Sequence, residues 1–233
     1  MSNITKASKS EDVDRFLEQV KSLPPAAPGG KRGRLILAMD ATMSRQSTWD
    51  RALSIQAQMF NEAGRVGGLD VQLVFFRGFN QCQASRWTSD AAALGRLMSG
   101  VRCMGGHTQI RRVLSHVRNE SRDKTINAVV YVGDAMEETI DSLAQAAGEV
   151  GLLGVPIFMF QEGRDPVTEA AYREIARLTR GAYFRFGADS AKILGELLSA
   201  VAVYAAGGAA ALADHSATHG GSARLLLAQM KSA

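Results

Sequence analysis

"LILAMDATMS", residues 35–44, opens as an unbroken apolar run and closes on an acid and two hydroxyls, Asp40, Thr42 and Ser44, one every second residue. An apolar run of strand length without polar alternation is the pattern of a strand buried on both faces. Such strands belong to parallel sheets covered by helices on two sides. The three oxygen-bearing side chains then stand where the strand leaves the sheet. In doubly wound sheets that is the end at which ligands bind.

The rest of the chain supports this reading. Helical periodicity over 48–64, with Trp49, Ala52, Leu53, Gln56 and Phe60 along one side, is followed by the strand-like "DVQLVFF". "GFNQCQASRWT" alternates and is expected to turn back as an antiparallel edge strand. Helices are expected over 90–99, 108–120, 138–150, 166–179 and 190–205. Between the later ones stand "INAVVYVGD", "VPIFMF" and "GAYFRF", each of strand length. The sum is an α/β fold: a doubly wound, Rossmann-like, mostly parallel sheet with one antiparallel edge strand and helices on both faces. Residues 1–30 read as a short amphipathic helix (Val13, Phe16, Leu17, Val20) and a Pro/Gly linker. Residues 31–206 read as the domain. Residues 207–233, rich in Ala, Gly, Ser and His, read as a flexible tail ending in "RLLLAQMK", whose Leu225, Leu226 and Met230 form a short apolar stripe.

Asp134 closes "AVVYVGD" as Asp40 closes the first strand. Neighbouring parallel strands would bring the two carboxylates to one crevice, where they repel unless protonated or bridged by a cation. Thr42 and Ser44 add neutral oxygens, and no His or Cys joins them. Hard oxygen donors of this kind suit Mg²⁺ or Mn²⁺ better than zinc or copper.

"DATMS" resembles the DxSxS motif of von Willebrand factor A (VWA) domains, with Thr42 at the first Ser position. "MGGHTQI" resembles the family's Gly-Gly-Thr segment through Thr108, and Asp134 matches the acid that ends its fourth strand. The resemblance spans about residues 33–205. It implies a metal-ion-dependent adhesion site (MIDAS) of the DxTxS variety, in which Asp40, Thr42, Ser44, Thr108 and Asp134 bind the ion directly or through water. A carboxylate on a partner protein would complete the coordination. The chain departs from the pattern by inserting His107 before Thr108 and by placing Ala135 where Gly is common. Glu137 and Glu138 follow and read as first-turn acids of the next helix, the alternative being negative charge near the metal that would weaken acidic ligands.

The resemblance therefore implies a non-enzymatic, metal-dependent protein-interaction module of bacterial style, with an ATPase or chaperone-like machine as the kind of partner. Two other classes compete. A phosphatase or phosphotransferase using Asp40 would want a second acid at position 42, where Thr42 stands. Nucleic-acid binding would want clustered basic residues. The formal charge is +4, but its cations are dispersed apart from "GGKRGR" and "IRRVLSHVR", and nucleic acid is not expected. Two cysteines, Cys82 and Cys103, form neither a disulfide framework nor a zinc motif. With no signal-peptide core near the start, a reducing cytoplasm is expected. The longest uncharged run, residues 197–213, is too short and too rich in Ala and Gly to suggest a membrane span. His215 and His219 read as solvated tail. Trp87 falls on the expected edge strand, where an exposed aromatic would anchor a partner, but packing is its default reading.

Overall fold

The structure, a computed structural model, describes residues 32–187 and 191–218. The helix expected over 10–22, its linker and the stripe of Leu225, Leu226 and Met230 lie outside the described residues. Six strands form one sheet: β1 (Gly33–Asp40), β2 (Leu69–Arg77), β3 (Gln81–Ala84), β4 (Ala128–Gly133), β5 (Ile157–Glu162) and β6 (Ala182–Phe186). Six helices cover it: α1 (Gln46–Gly64), α2 (Ala91–Ser99), α3 (Ile110–Asp123), α4 (Ile140–Leu152), α5 (Pro166–Leu178) and α6 (Ala191–Thr218). The strand order is β3-β2-β1-β4-β5-β6. All neighbours are parallel except β3, which runs antiparallel to β2 through Val74–Ala84 to Arg77–Gln81.

That order contains the feature that matters for a site. From β1 the chain winds outward to β2 and β3, then returns to the other side of β1 for β4. The connections leaving β1 and β4 therefore diverge to opposite faces, and a crevice opens between their carboxyl ends. The expected architecture is the observed one.

β1 shows why its sequence lacks alternation. Leu35, Leu37 and Met39 enter a core beneath α1, α2 and α6, with Trp49, Leu94 and Leu198. Ile36 and Ala38 enter a second core beneath α3, α4 and α5, with Val113, Ala147 and Tyr172. Each buried Leu or Ile is worth roughly 1.5–3 kcal/mol of transfer free energy, so a register slip that moved a polar residue into either layer would be costly. Gly33 is needed at the start of β1, because a Cβ there would lie 2.2 Å from the Ala205 carbonyl of α6.

One sequence reading changes. The tail expected from residue 207 is helical through Thr218 among the described residues. Gly208, with φ 74°, bends the helix, and the chain resumes it. Leu212 and Ser216 are buried, and His215 Nδ1 approaches Glu62 Oε2 at 3.5 Å. Trp87 packs against the second core, in keeping with its default reading. Its indole N–H donates to Glu120 at 2.9 Å, and the Arg34 guanidinium stacks 3.8 Å above its ring. No helix among the described residues is long and apolar enough to cross a membrane.

Candidate metal centre

Asp40 is the last residue of β1 and is only 2% exposed. Its Oδ1 accepts the Thr42 N–H at 2.7 Å, which turns the chain out of the sheet. Thr42 stays extended, and residues Met43–Arg45 then form a short 3-10 turn that leads into α1. This places the Thr42 and Ser44 hydroxyls 3.3 Å apart above Asp40. The every-second-residue spacing works because an extended start followed by one tight turn keeps all three oxygens on the same side.

Thr108 arrives on the loop before α3. The Met104 N–H donates to the Ala41 carbonyl at 2.9 Å, and the His107 N–H to the Gly78 carbonyl at 3.2 Å. Gly106 lies so close to Gly78 that a Cβ on it would stand 2.1 Å from the Gly78 carbonyl oxygen. No other residue permits that crossing. α3 starts at Ile110, two residues later than its expected start, so Thr108 precedes the helix.

Asp134 follows β4 and is half-buried. The Tyr172 hydroxyl donates to the carbonyl of Ala135 at 3.1 Å and steadies the loop. Tyr131 forms the floor below. Burial pushes its phenol well above the ordinary value, and Tyr172, Asp40 and Glu138 push it the same way. A neutral ring therefore underlies the site, with Tyr172 edge-on against it at 5.4 Å.

Glu137 and Glu138 do something the sequence did not reveal. α4 begins at Ile140, so both acids stand before it. Glu138 instead caps α3, accepting the N–H groups of Ile110 at 2.9 Å and Arg111 at 2.8 Å. Glu137 Oε2 accepts the Thr108 N–H at 2.8 Å and its hydroxyl at 2.6 Å. The Glu137 N–H returns to Thr108 Oγ1 at 3.1 Å. Glu138 thus serves a first turn, that of α3 instead of α4, and Glu137 lines the cavity beside the expected metal residues. The available signal was "MEE" directly after Asp134. Its partner lies 29 residues earlier, beyond the reach of local pattern.

All five residues expected to hold a metal line one cavity of about 220 Å³, together with Met43, Gly105, Gly106, Ala135 and Glu137. A larger hollow of about 310 Å³ adjoins it through Thr108 and is lined by Gln109, Arg111, Arg112, Ser115 and Glu138. The donor set fits a hard divalent cation. Among the described residues no three His, Cys, Asp or Glu side chains are gathered to hold a metal, so a cation bound in this cavity would draw on the hydroxyls as well. Thr108 Oγ1 donates one hydrogen bond and accepts one, which leaves one lone pair for a cation. Donation to a carboxylate also makes that oxygen a better ligand.

No family model and no curated protein sequence matches the chain. Solved structures do. The VWA domain of SpRpn10 superposes with a TM-score of 0.55 at 13% identity, over 72% of this chain and 93% of that one. Proximal thread matrix protein 1 from the mussel byssus, with a zinc-occupied MIDAS motif, gives 0.57 at 16% identity over 74% and 46%. The vWF domain of the type V pili tip protein Mfa5 from Porphyromonas gingivalis gives 0.54 at 10% over 73% and 96%. At such identities the likeness establishes the fold, and the fold is that of VWA domains.

Proposed function

We propose that this VWA fold serves as a metal-ion-dependent protein-interaction module. In this reading Asp40, Thr42, Ser44, Thr108 and Asp134 hold Mg²⁺ or Mn²⁺, and an acidic residue of a partner protein completes the coordination. The observation that carries it is the meeting of five oxygen donors, from the ends of β1 and β4 and the loop before α3, in one cavity. A bound divalent ion supplies positive charge and an exchangeable coordination position. The chain supplies the rest. Asp40 is held by Thr42, Thr108 is oriented by Glu137, and Gly106 brings the Thr108 loop down onto the Gly78 turn.

The reading is non-enzymatic. The position two residues after Asp40 carries a hydroxyl, and the Thr42 N–H is already turned toward Asp40. Cys82 and Cys103 form no disulfide, which favours a reducing cytoplasm. The similar structures include pilus proteins, so the fold alone leaves the compartment open. A bacterial ATPase or chaperone-like machine is the partner class we favour, on the strength of the family resemblance.

Isothermal calorimetry with Mg²⁺ and Mn²⁺ on the wild type and Asp40→Ala tests the proposal. One ion should bind the wild type, and the variant should lose at least about tenfold in affinity. Equal binding by the two proteins would remove the site assignment.

A further inference from the structure

Three exposed large apolar side chains stand at the cation cavity or on the loops beside it. Met43 lines it and is 69% exposed; Phe79 is 71% and Met104 40% exposed. The Met104 methyl packs 3.2 Å from where a Cβ on Gly78 would stand. Phe79, the next residue, packs edge-on against His107 at 5.1 Å, one position from Thr108. Phe79 and Met104 thus share the seam where the Gly78 turn meets the Gly106 loop, and Met43 lines the cavity that Gly105 and Gly106 border. Methionine and phenylalanine are the residue types enriched at the buried centres of protein interfaces.

The adjoining hollow has the opposite character. Arg112 donates to the Asn80 carbonyl, to Asn80 Oδ1 and to Gln109 Oε1, all neutral acceptors. The Arg111 side chain, also lining the hollow, makes no ion pair among the described residues. Glu138 is the hollow's one acid, and its two oxygens are already engaged by backbone N–H groups of α3. The hollow is therefore a basic flank beside an apolar collar.

We propose that this edge docks a protein segment in which an acidic residue stands beside a large apolar one, with a second acidic residue reaching Arg111. The first carboxylate rests on the cation reading above; the collar and the basic flank do not. Protein fits better than nucleic acid. A phosphate chain needs cations in a stripe, whereas here two arginines stand next to the carboxylates of Asp40, Asp134 and Glu137.

Panning a random peptide library on the full chain in Mg²⁺ tests this. Enriched peptides should pair Asp or Glu with a neighbouring Leu, Ile, Met or Phe and carry a further acid. In solution, Met43→Ser/Phe79→Ser should weaken the best peptide by about tenfold or more, and Arg111→Glu should do likewise. All the substituted side chains are exposed, and unchanged circular dichroism would show an intact fold. Absence of enrichment, acidic peptides without apolar neighbours, or affinities indifferent to the Met43/Phe79 double variant would overturn the proposal. So would displacement of the peptide by single-stranded DNA. A repeat in chelator separates the two readings. Capture that survives chelation but still fails in the double variant would support the docking face and overturn the cation.

Discussion

Thr108 concentrates the chemistry of the candidate site. Its hydroxyl and N–H both reach Glu137, so it couples two of the residues that line the cavity. Thr108→Ala should abolish detectable Mg²⁺ binding, while Thr108→Ser should largely preserve it, because the oxygen matters more than the methyl. Glu137→Gln can keep the Thr108 hydrogen bond while removing the charge. We expect it to weaken Mn²⁺ binding by about 10–100-fold with little change in thermal stability. Calorimetry and a melting curve read the two effects separately. Full-strength binding by Glu137→Gln would show that this carboxylate does not act on the ion. Asp40, Thr42, Ser44 and Asp134 were legible from sequence because each sits at the end of a recognisable strand. The bond between Glu137 and Thr108 was not, since it joins two different loops.

At the scale of elements, α3 is tied to the sheet by His116, whose Nε2 lies 2.8 Å from Gln72 Oε1 on β2. Burial lowers the His116 pKa from its ordinary 6.5, and only the nearby Glu120 carboxylate opposes that shift. In the window below the unfolded value of 6.5, the unfolded chain takes up a proton that the folded chain resists. Stability should therefore be complete above that pH and fall as the pH drops through it. Chemical denaturation between about pH 7.5 and 5 should show this slope, and His116→Gln should flatten it. An identical slope in the variant would place the titration elsewhere. The strands and helices themselves were readable because periodicity and length reflect burial directly. The start of α3 was not, because Gln109 caps no N–H with its side chain and Glu138 does so from a distance.

At the scale of the whole molecule, the two ends of β1 serve different ends of the protein. Its amino end meets α6 at Ala205, and its carboxyl end holds Asp40. At about 3.3 Å per residue the two are about 23 Å apart. Truncation after Gly208 removes the buried Leu212 and the His215–Glu62 approach. It should lower stability by about 2–3 kcal/mol yet leave Mg²⁺ affinity within twofold, read by denaturation and calorimetry on one preparation. Loss of ion binding in a folded truncated chain would tie the helix end to the site. The molecule as a whole should also show no turnover of p-nitrophenyl phosphate in Mg²⁺. Activity that disappears in Asp40→Asn would overturn the non-enzymatic reading.

By itself the sequence determined the alternation of strands and helices, the double burial of β1 and the antiparallel edge. Those properties follow from hydrophobic period and chain geometry, which act over a few residues at a time. It also marked the oxygen donors, because strand ends are local events. Only the tertiary structure decided that the five donors share one cavity and that Glu137 and Glu138 serve Thr108 and α3. It also decided that the helix passes Gly208 instead of stopping. Each of those outcomes depends on contacts between segments distant in sequence. The energy of such a contact is set by what the other segment presents, which no local pattern encodes.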